Sequence, residues 1–247
     1  MEQKMITTLK PDWPVDASVV AMTTTRRGGV SVSPFGQLNI ASHVGDLPAA
    51  VQENRRRLVS ELDLPAEPNW LSQTHSNGLV RIGEGGLQDI PDADAAYTEH
   101  HGQVVVIMTA DCLPVFLAAR DGSEVALVHA GWRGIANGII IRTLKAFKSS
   151  PEDICAWLGP AISQPAFTVG NDVREAVIKR DAKHSEAFVP YQMQWKACLY
   201  SLARQQLQGK VGFVGGGEYC TYSRPELFFS YRRDGTTGRM ANLIYKS

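Results

Sequence analysis

The sequence predicts a domain that mixes β-strands with amphipathic α-helices, and three features of its middle third predict it. Val104–Met108 is a continuously apolar run, the pattern of a strand buried on both faces. Pro114–Ala119 and Glu124–Val128 are two further apolar segments separated by Asp121-Gly122. That dipeptide is a strong hairpin signal, because a two-residue type I′ turn needs positive φ at both central positions. Ile135, Ile139, Ile140, Leu144 and Phe147 then recur at the spacing of one helix face, predicting a helix over Ile135–Phe147.

The remaining elements follow in order. Val19–Thr24 reads as a strand running into Thr25-Arg26-Arg27-Gly28-Gly29, a loop able to wrap an anion with guanidinium and backbone donors. No Gly-Lys-Ser/Thr follows, so this is not a P-loop. A helix is expected from Pro48 to Leu62, with Val51, Leu58, Val59 and Leu62 on its apolar face and proline in its first turn. Asn54 and Arg55 fall off that stripe, facing either solvent or a cleft. Trp70–His75 reads as a strand end delivering His75 into a Ser76-Asn77-Gly78 turn, with Leu79–Ile82 returning. Asp92 and Asp94 share one strand face. Ile154–Leu158 and Val211–Val214 read as strands, and Asn171–Lys179 and Trp195–Gln208 as helices, the second closed by Gly209. Arg232, Arg233 and Arg239 lie among aromatic, glycine and threonine residues before a last strand, Asn242–Tyr245. No repeat or long linker divides the chain, so residues 1–247 are expected to form a single domain.

Lys+Arg and Asp+Glu are equal at 25 each, so no overall field steers the protein towards nucleic acid or an anionic membrane. No apolar run approaches the roughly 20 residues of a membrane span. The N-terminal MEQKMITTLKPDW lacks the apolar core of a secretory signal. Four cysteines, at 112, 155, 198 and 220, form no C-x-x-C pair. Free thiols in a reducing cytoplasm are the expectation.

The hairpin carries the chemistry. With Asp121-Gly122 as its loop, Arg120 faces Ser123 and Pro114 faces His129. Cys112 then lies two residues, roughly 7 Å, beyond the position opposite His129. A thiolate and an imidazole placed there can converge on one metal ion or one substrate atom. A soft thiolate with two imidazoles suits Zn²⁺ and leaves a fourth position open. His75 is the best third ligand because it sits at an element end, and His43 in HVGD competes with it. His100-His101 lies in a polar loop. His184-Ser185-Glu186 matches the H-x-E half of the zinc nucleobase deaminases, but no P-C-x-x-C accompanies it.

The set TRRGGVS, HVGD, NRRRL, Q-x-H, DAD, TADCLPV, HAGWRG, LGPAI, FFSYRRD and TGRMA resembles the YfiH-like proteins from Thr24 almost to the C-terminus. These are also called peptidoglycan editing factors, and have been labelled laccase-domain or polyphenol oxidase proteins. The resemblance implies an α+β fold, a four-layer α/β/β/α sandwich with mixed sheets, related to cytotoxic necrotizing factor catalytic domains. It implies a zinc site of His75, Cys112 and His129. It also implies purine nucleoside phosphorylase, adenosine deaminase and methylthioadenosine phosphorylase activities at one site, on purine nucleosides and inorganic phosphate. One departure is visible: the family's usual glycine after the motif histidine is Ser76 here.

For such chemistry Asp111 or Asp94 is a candidate proton shuttle, and Arg26, Arg55, Arg133, Arg232 and Arg233 are phosphate candidates, with His43 a further substrate-binding residue. An alternative is a Cys–His hydrolase editing cell-wall precursors, with Cys112 as nucleophile and His129 as base. Copper-dependent polyphenol oxidation fares worse. Six histidines without one H-x-H pair cannot assemble several copper sites, although a single Cu²⁺ at the three-ligand site is possible.

Overall fold

The computed structural model describes residues 5–247. In chain order the first strands are β1 (Thr8–Leu9), β2 (Val19–Thr24), β3 (Leu79–Arg81), β4 (Ala95–Thr98), β5 (Val105–Thr109), β6 (Leu113–Ala119) and β7 (Val125–Ala130). They continue with β8 (Ile154–Leu158), β9 (Thr168–Val169), β10 (Phe188–Tyr191), β11 (Gln194–Ala197), β12 (Phe213–Gly216) and β13 (Met240–Lys246). The helices are α1 (Pro48–Glu61), α2 (Trp132–Ala136), α3 (Ile139–Leu144), α4 (Asn171–Ile178), α5 (Leu199–Leu207) and α6 (Tyr231–Asp234).

Two large sheets pack face to face. One has the order β1-β2-β13-β5, all antiparallel; the other has the order β12-β8-β6-β7-β4-β3, with parallel pairs at both edges. Side-chain alternation along each strand assigns the layers. Val105 and Ile107 of β5 point inward to meet Phe116, Leu127 and Trp157 of the second sheet. Their neighbours Val106 and Met108 point outward and pack with Leu58 of α1. On the far side, Val115, Leu117 and Val128 pack with Ile135, Ile139, Val177 and Leu202 of the helices. The result is the expected α/β/β/α sandwich, and it explains why β5, β6 and β7 are buried along their whole length.

The β6–β7 hairpin has the register expected of it, with Pro114 opposite His129, but a different turn. Only Gly122 takes positive φ, and the Gly122 N–H closes a turn onto Ala119 O. Ala119 N–H bonds Glu124 O, so the loop holds four residues rather than two. The backbone of Arg120 is instead bonded to Asp16 and Asp153, which removes it from the ladder. Register survives because the longer loop is symmetric about the same centre.

Three other elements differ from expectation. The helix expected over Ile135–Phe147 is two short helices, α2 and α3, broken at Gly138 (φ 76°). A Cβ there would lie 2.2 Å from the Arg180 guanidinium, so the break is also a packing site. The helix expected to begin at Trp195 begins at Leu199, because Trp195 and Lys196 pair with β9 and β10. Trp70–His75 forms no strand and contributes only an isolated bridge at Ser72, with another just before it at Asn69. Among the described residues no helix is long and apolar enough to cross a membrane.

Candidate metal centre

β5 belongs to one sheet and β6 to the other, so Ala110-Asp111-Cys112 crosses between the layers at one end of the sandwich. Asp111 holds that crossing. It adopts φ 97°, rare for a non-glycine residue, and is locked there by three bonds. Its carboxylate accepts from the Thr221 hydroxyl (2.6 Å) and the Arg232 N–H (2.7 Å), and its carbonyl accepts from Ile162 N–H (2.9 Å). The strained residue thereby directs Cys112 into the space that His129 reaches from β7.

His75 arrives from the turn before β3 with φ 59°, while Ser76 needs no positive φ. Cys112 Sγ lies 3.9 Å from His75 Nε2, and the His75 and His129 rings meet edge to face at 4.8 Å. The ligand atoms of His75, Cys112 and His129 all lie within 4.8 Å of one another. Tetrahedral zinc, with bonds of about 2.0–2.3 Å, sets its ligand atoms about 3.3–3.6 Å apart. Two imidazoles and a thiolate offer donors whose chemistry suits a metal ion such as zinc, although the set must draw closer together to reach that spacing.

Asp94 orients the set from behind. It is fully buried, and its Oδ1 accepts both His129 Nδ1–H (2.8 Å) and the His75 main-chain N–H (3.0 Å). A buried ionised carboxylate is acceptor-only, so it fixes the proton on Nδ1 and leaves Nε2 as the ligand nitrogen. Burial alone would raise the Asp94 pKa. Hydrogen bonds from His129 and from the hydroxyl and N–H of Ser76 outweigh it and hold the carboxyl well below the usual range.

Without metal, Cys112 and His129 form a thiolate–imidazolium pair. Burial alone would raise the thiol, but the charge and hydrogen bond of His129, with help from His75, bring it down to about 6. Burial alone would lower His129, but the Cys112 charge and the Asp94 hydrogen bond raise it to about 9. Two results follow for the metal-free protein. Alkylation of Cys112, followed by mass spectrometry of its peptide, should titrate near pH 6 rather than near the ordinary thiol value of about 8.5. A metal ion bound through both side chains would have to displace the His129 proton below about pH 9 and the Cys112 proton as well below about pH 6. Affinity measured against a competing chelator should therefore rise about tenfold per pH unit between 6 and 9, and more steeply below 6.

All three side chains, His75, Cys112 and His129, line a cavity of about 590 Å³. Ile162, Phe167, Leu199 and Trp132 supply apolar and aromatic lining, Arg239 supplies a guanidinium, and His43 an imidazole that burial and the charges of Arg239 and Arg55 hold below its ordinary pKa. Arg133 and Arg232 also line it, resting over the rings of Trp132 and Phe167. Among the described residues none of these three arginines forms an ion pair. Arg239 spends one amino group on the carbonyls of Thr237 and Gly238.

The other expected anion-binding arginines are committed elsewhere. Arg26 donates to the carbonyls of Gly36 and Pro225 and covers Phe229; Arg55 donates to Ile40 O and lies 3.7 Å over Trp70. Arg233 spends its donors on Thr221, Tyr222, Phe228 and Asp234. All three brace loops outside the cavity lining. Asn54 is buried beside them and ties Val30, Ser31, Gln37 and Asn39 together. Asp111, expected as a proton shuttle, has both carboxylate oxygens occupied, and Asp94 lies behind His129 outside the lining. His184 is a buried structural residue bonded to Val177 O. Arg239 and the aromatic lining were not singled out as substrate contacts, since only their convergence in space marks them. The T-G-R sequence gave Arg239 a weak signal.

A family model described as multi-copper polyphenol oxidoreductase laccase matches residues 20–247. The chain belongs to this family. A relative from Escherichia coli named purine nucleoside phosphorylase YfiH is 48% identical over 237 residues, 95% of this chain and 97% of that one. One from Haemophilus influenzae, named purine nucleoside phosphorylase, is 45% identical over 96% of this chain and 98% of its own. A crystal structure of a Neisseria meningitidis protein superposes with TM-score 0.93 at 43% identity, covering 97% of this chain and 99% of that one. Its match confirms the layered architecture of this laccase-labelled family across nearly the whole chain.

Proposed function

We propose that the protein is a zinc-dependent purine nucleoside phosphorylase that also deaminates adenosine and cleaves methylthioadenosine in the same cavity. The observation that carries this reading is the cavity's lining: apolar and aromatic side chains together with arginines that form no ion pair among the described residues, gathered around a His–Cys–His set. Relatives named for the phosphorylase activity support it. A purine stacks on Phe167 and Trp132, inorganic phosphate is held at Arg239 and His43, and the ribose lies between. A phosphate oxygen then bonds to C1′ as the C1′–N9 bond breaks, and the base leaves with the electron pair and takes up a proton. The arginines bring two anionic or electron-rich groups together and hold them against a developing positive charge on the sugar. Asp94 keeps His129 in one tautomer throughout, and Asp111 keeps the crossing rigid. His75, Cys112 and His129 would hold the zinc, which would supply a Lewis acid to the reaction. We place the activity in the cytoplasm, where the Cys112 thiol stays reduced.

Chromatography of inosine and adenosine reactions, with and without phosphate, tests the reading. Phosphate-dependent release of hypoxanthine and adenine is expected, with phosphate-independent inosine from adenosine reporting deamination. No base release with phosphate would overturn it. Arg239→Ala should raise the KM for phosphate roughly tenfold to a hundredfold, the value of a charge-assisted contact, in initial rates at varied phosphate. An unchanged phosphate KM would remove Arg239 from that role. Chelation separates this reading from a Cys–His hydrolase, since it abolishes the former and spares a thiol nucleophile. Multi-copper oxidation is not supported by the donor inventory, because one three-ligand cluster is found among the described residues.

A further inference from the structure

We propose that Ser76 is a positioning residue for the metal, its hydroxyl completing the cage that holds Asp94 and, through it, both histidine ligands; this rests on the zinc reading above. The Asp94 carboxylate sits at the hub of the turn 74–78. Oδ1 takes His129 Nδ1–H and His75 N–H, and Oδ2 takes Ser76 N–H (2.6 Å), the Ser76 hydroxyl (2.8 Å) and Thr74 N–H (3.2 Å). A single carboxylate oxygen thus sets the ring orientation of one ligand and the backbone position of the other.

The direction of the Ser76 bond is forced. An ionised carboxylate only accepts, so the hydroxyl donates to it, and its lone pair accepts Gly78 N–H at 3.0 Å. Gly78 in turn offers its carbonyl to the N–H groups of Asp94 and Ala95. The hydroxyl therefore closes a loop of bonds that runs from Asp94 through Ser76 and Gly78 back to Asp94. A glycine at 76 keeps the main-chain bond to Oδ2 but opens this circuit. It leaves Gly78 N–H without that partner and removes one of the donors that fix Oδ2, loosening the carboxylate that orients His129. His75 feels the same change, because its φ of 59° is held by the N–H bond to Oδ1. The hydroxyl touches neither the cavity lining nor the ligand atoms, so its effect is on metal retention rather than on a reacting group.

The test measures zinc affinity of the full chain by chelator competition, the visible spectrum of the cobalt-loaded protein, and the Tm of the metal-free protein. Groups that orient a ligand directly are worth 10–100-fold in affinity, so Ser76→Ala, one step removed, is expected to lose roughly five- to tenfold. The metal-free Tm should stay within about 2 °C of the wild type. Ser76→Thr, which restores the hydroxyl, should return affinity to within about twofold, and the altered cobalt bands of the alanine variant should revert with it. Wild-type affinity in Ser76→Ala, or a loss that Ser76→Thr fails to repair, would overturn the proposal. So would a loss matched by a fall in metal-free Tm, which marks a merely structural serine. A wild-type chain that takes up no zinc would instead defeat the metal reading, and this proposal with it.

Discussion

Cys112→Ala is expected to lose zinc affinity by more than about a hundredfold and phosphorolysis with it, since a direct ligand is worth more than the partners that orient it. The thiolate is one of three donors within 4.8 Å of one another, and the two imidazoles left behind offer zinc too few anchors. The substitution itself is mild, because the backbone at this crossing is held by Asp111 and not by the sulfur. Metal analysis of the purified variant, alongside chromatography of inosine with phosphate, reads both effects. A variant that keeps stoichiometric metal and activity would sink the assignment of Cys112. A variant that keeps metal but loses turnover would move Cys112 from ligand to nucleophile.

Asp94→Ala carries the second large effect, on folding as well as on metal. The wild-type carboxylate is fully buried and accepts His129 Nδ1–H and three main-chain N–H groups. Removing it leaves those donors without an acceptor in a dry site, which costs about 3–5 kcal/mol. Urea unfolding of the metal-free protein at pH 7 measures this. The sign with pH follows from the depressed pKa. The carboxylate's stabilisation is complete above its unfolded value, about 3.9, and is lost as pH falls below that towards the folded value. The gap between wild type and variant should therefore be widest near pH 5–6, narrow in acid as Asp94 takes up its proton, and narrow again towards pH 9 as His129, raised in part by Asp94, loses its own. Asp94→Asn keeps the volume but turns an N–H₂ towards the donors, so it should lose zinc affinity about 10–100-fold. If Asp94→Asn binds zinc as tightly as the wild type, the carboxylate does not orient His129.

Much of the site was legible from local chemistry. The Pro114–His129 register follows from two apolar runs around Asp121-Gly122, and it brings Cys112 and His129 to one end of the sheet whatever the turn type. The wrong turn did no harm because register depends on the loop's centre, not its length. The break at Gly138 and the strand at Trp195 were not legible in the same way. Helical periodicity runs through both; the first coincides with the positive φ of Gly138, against which the Arg180 guanidinium packs, and the second with pairing to β9 and β10.

By itself the sequence determined the register of the β6–β7 hairpin and with it the approach of Cys112 to His129, and its motifs pointed to His75 as the third member of the cluster. The tertiary structure alone decided which cations serve the cavity. Arg26, Arg55 and Arg233 sit in motifs as suggestive as those of Arg133 and Arg232, yet they brace loops outside the cavity lining through carbonyl contacts, whereas Arg133 and Arg232 line it, Arg232 with one donor on Thr168 O. Charge is a property of the residue, but availability depends on what else lies within hydrogen-bond reach, and those partners come from distant parts of the chain. Arg26 finds its acceptors at Gly36 and at Pro225, almost two hundred residues away in the chain, and Asp94 finds its place behind His129 by the same kind of long-range meeting.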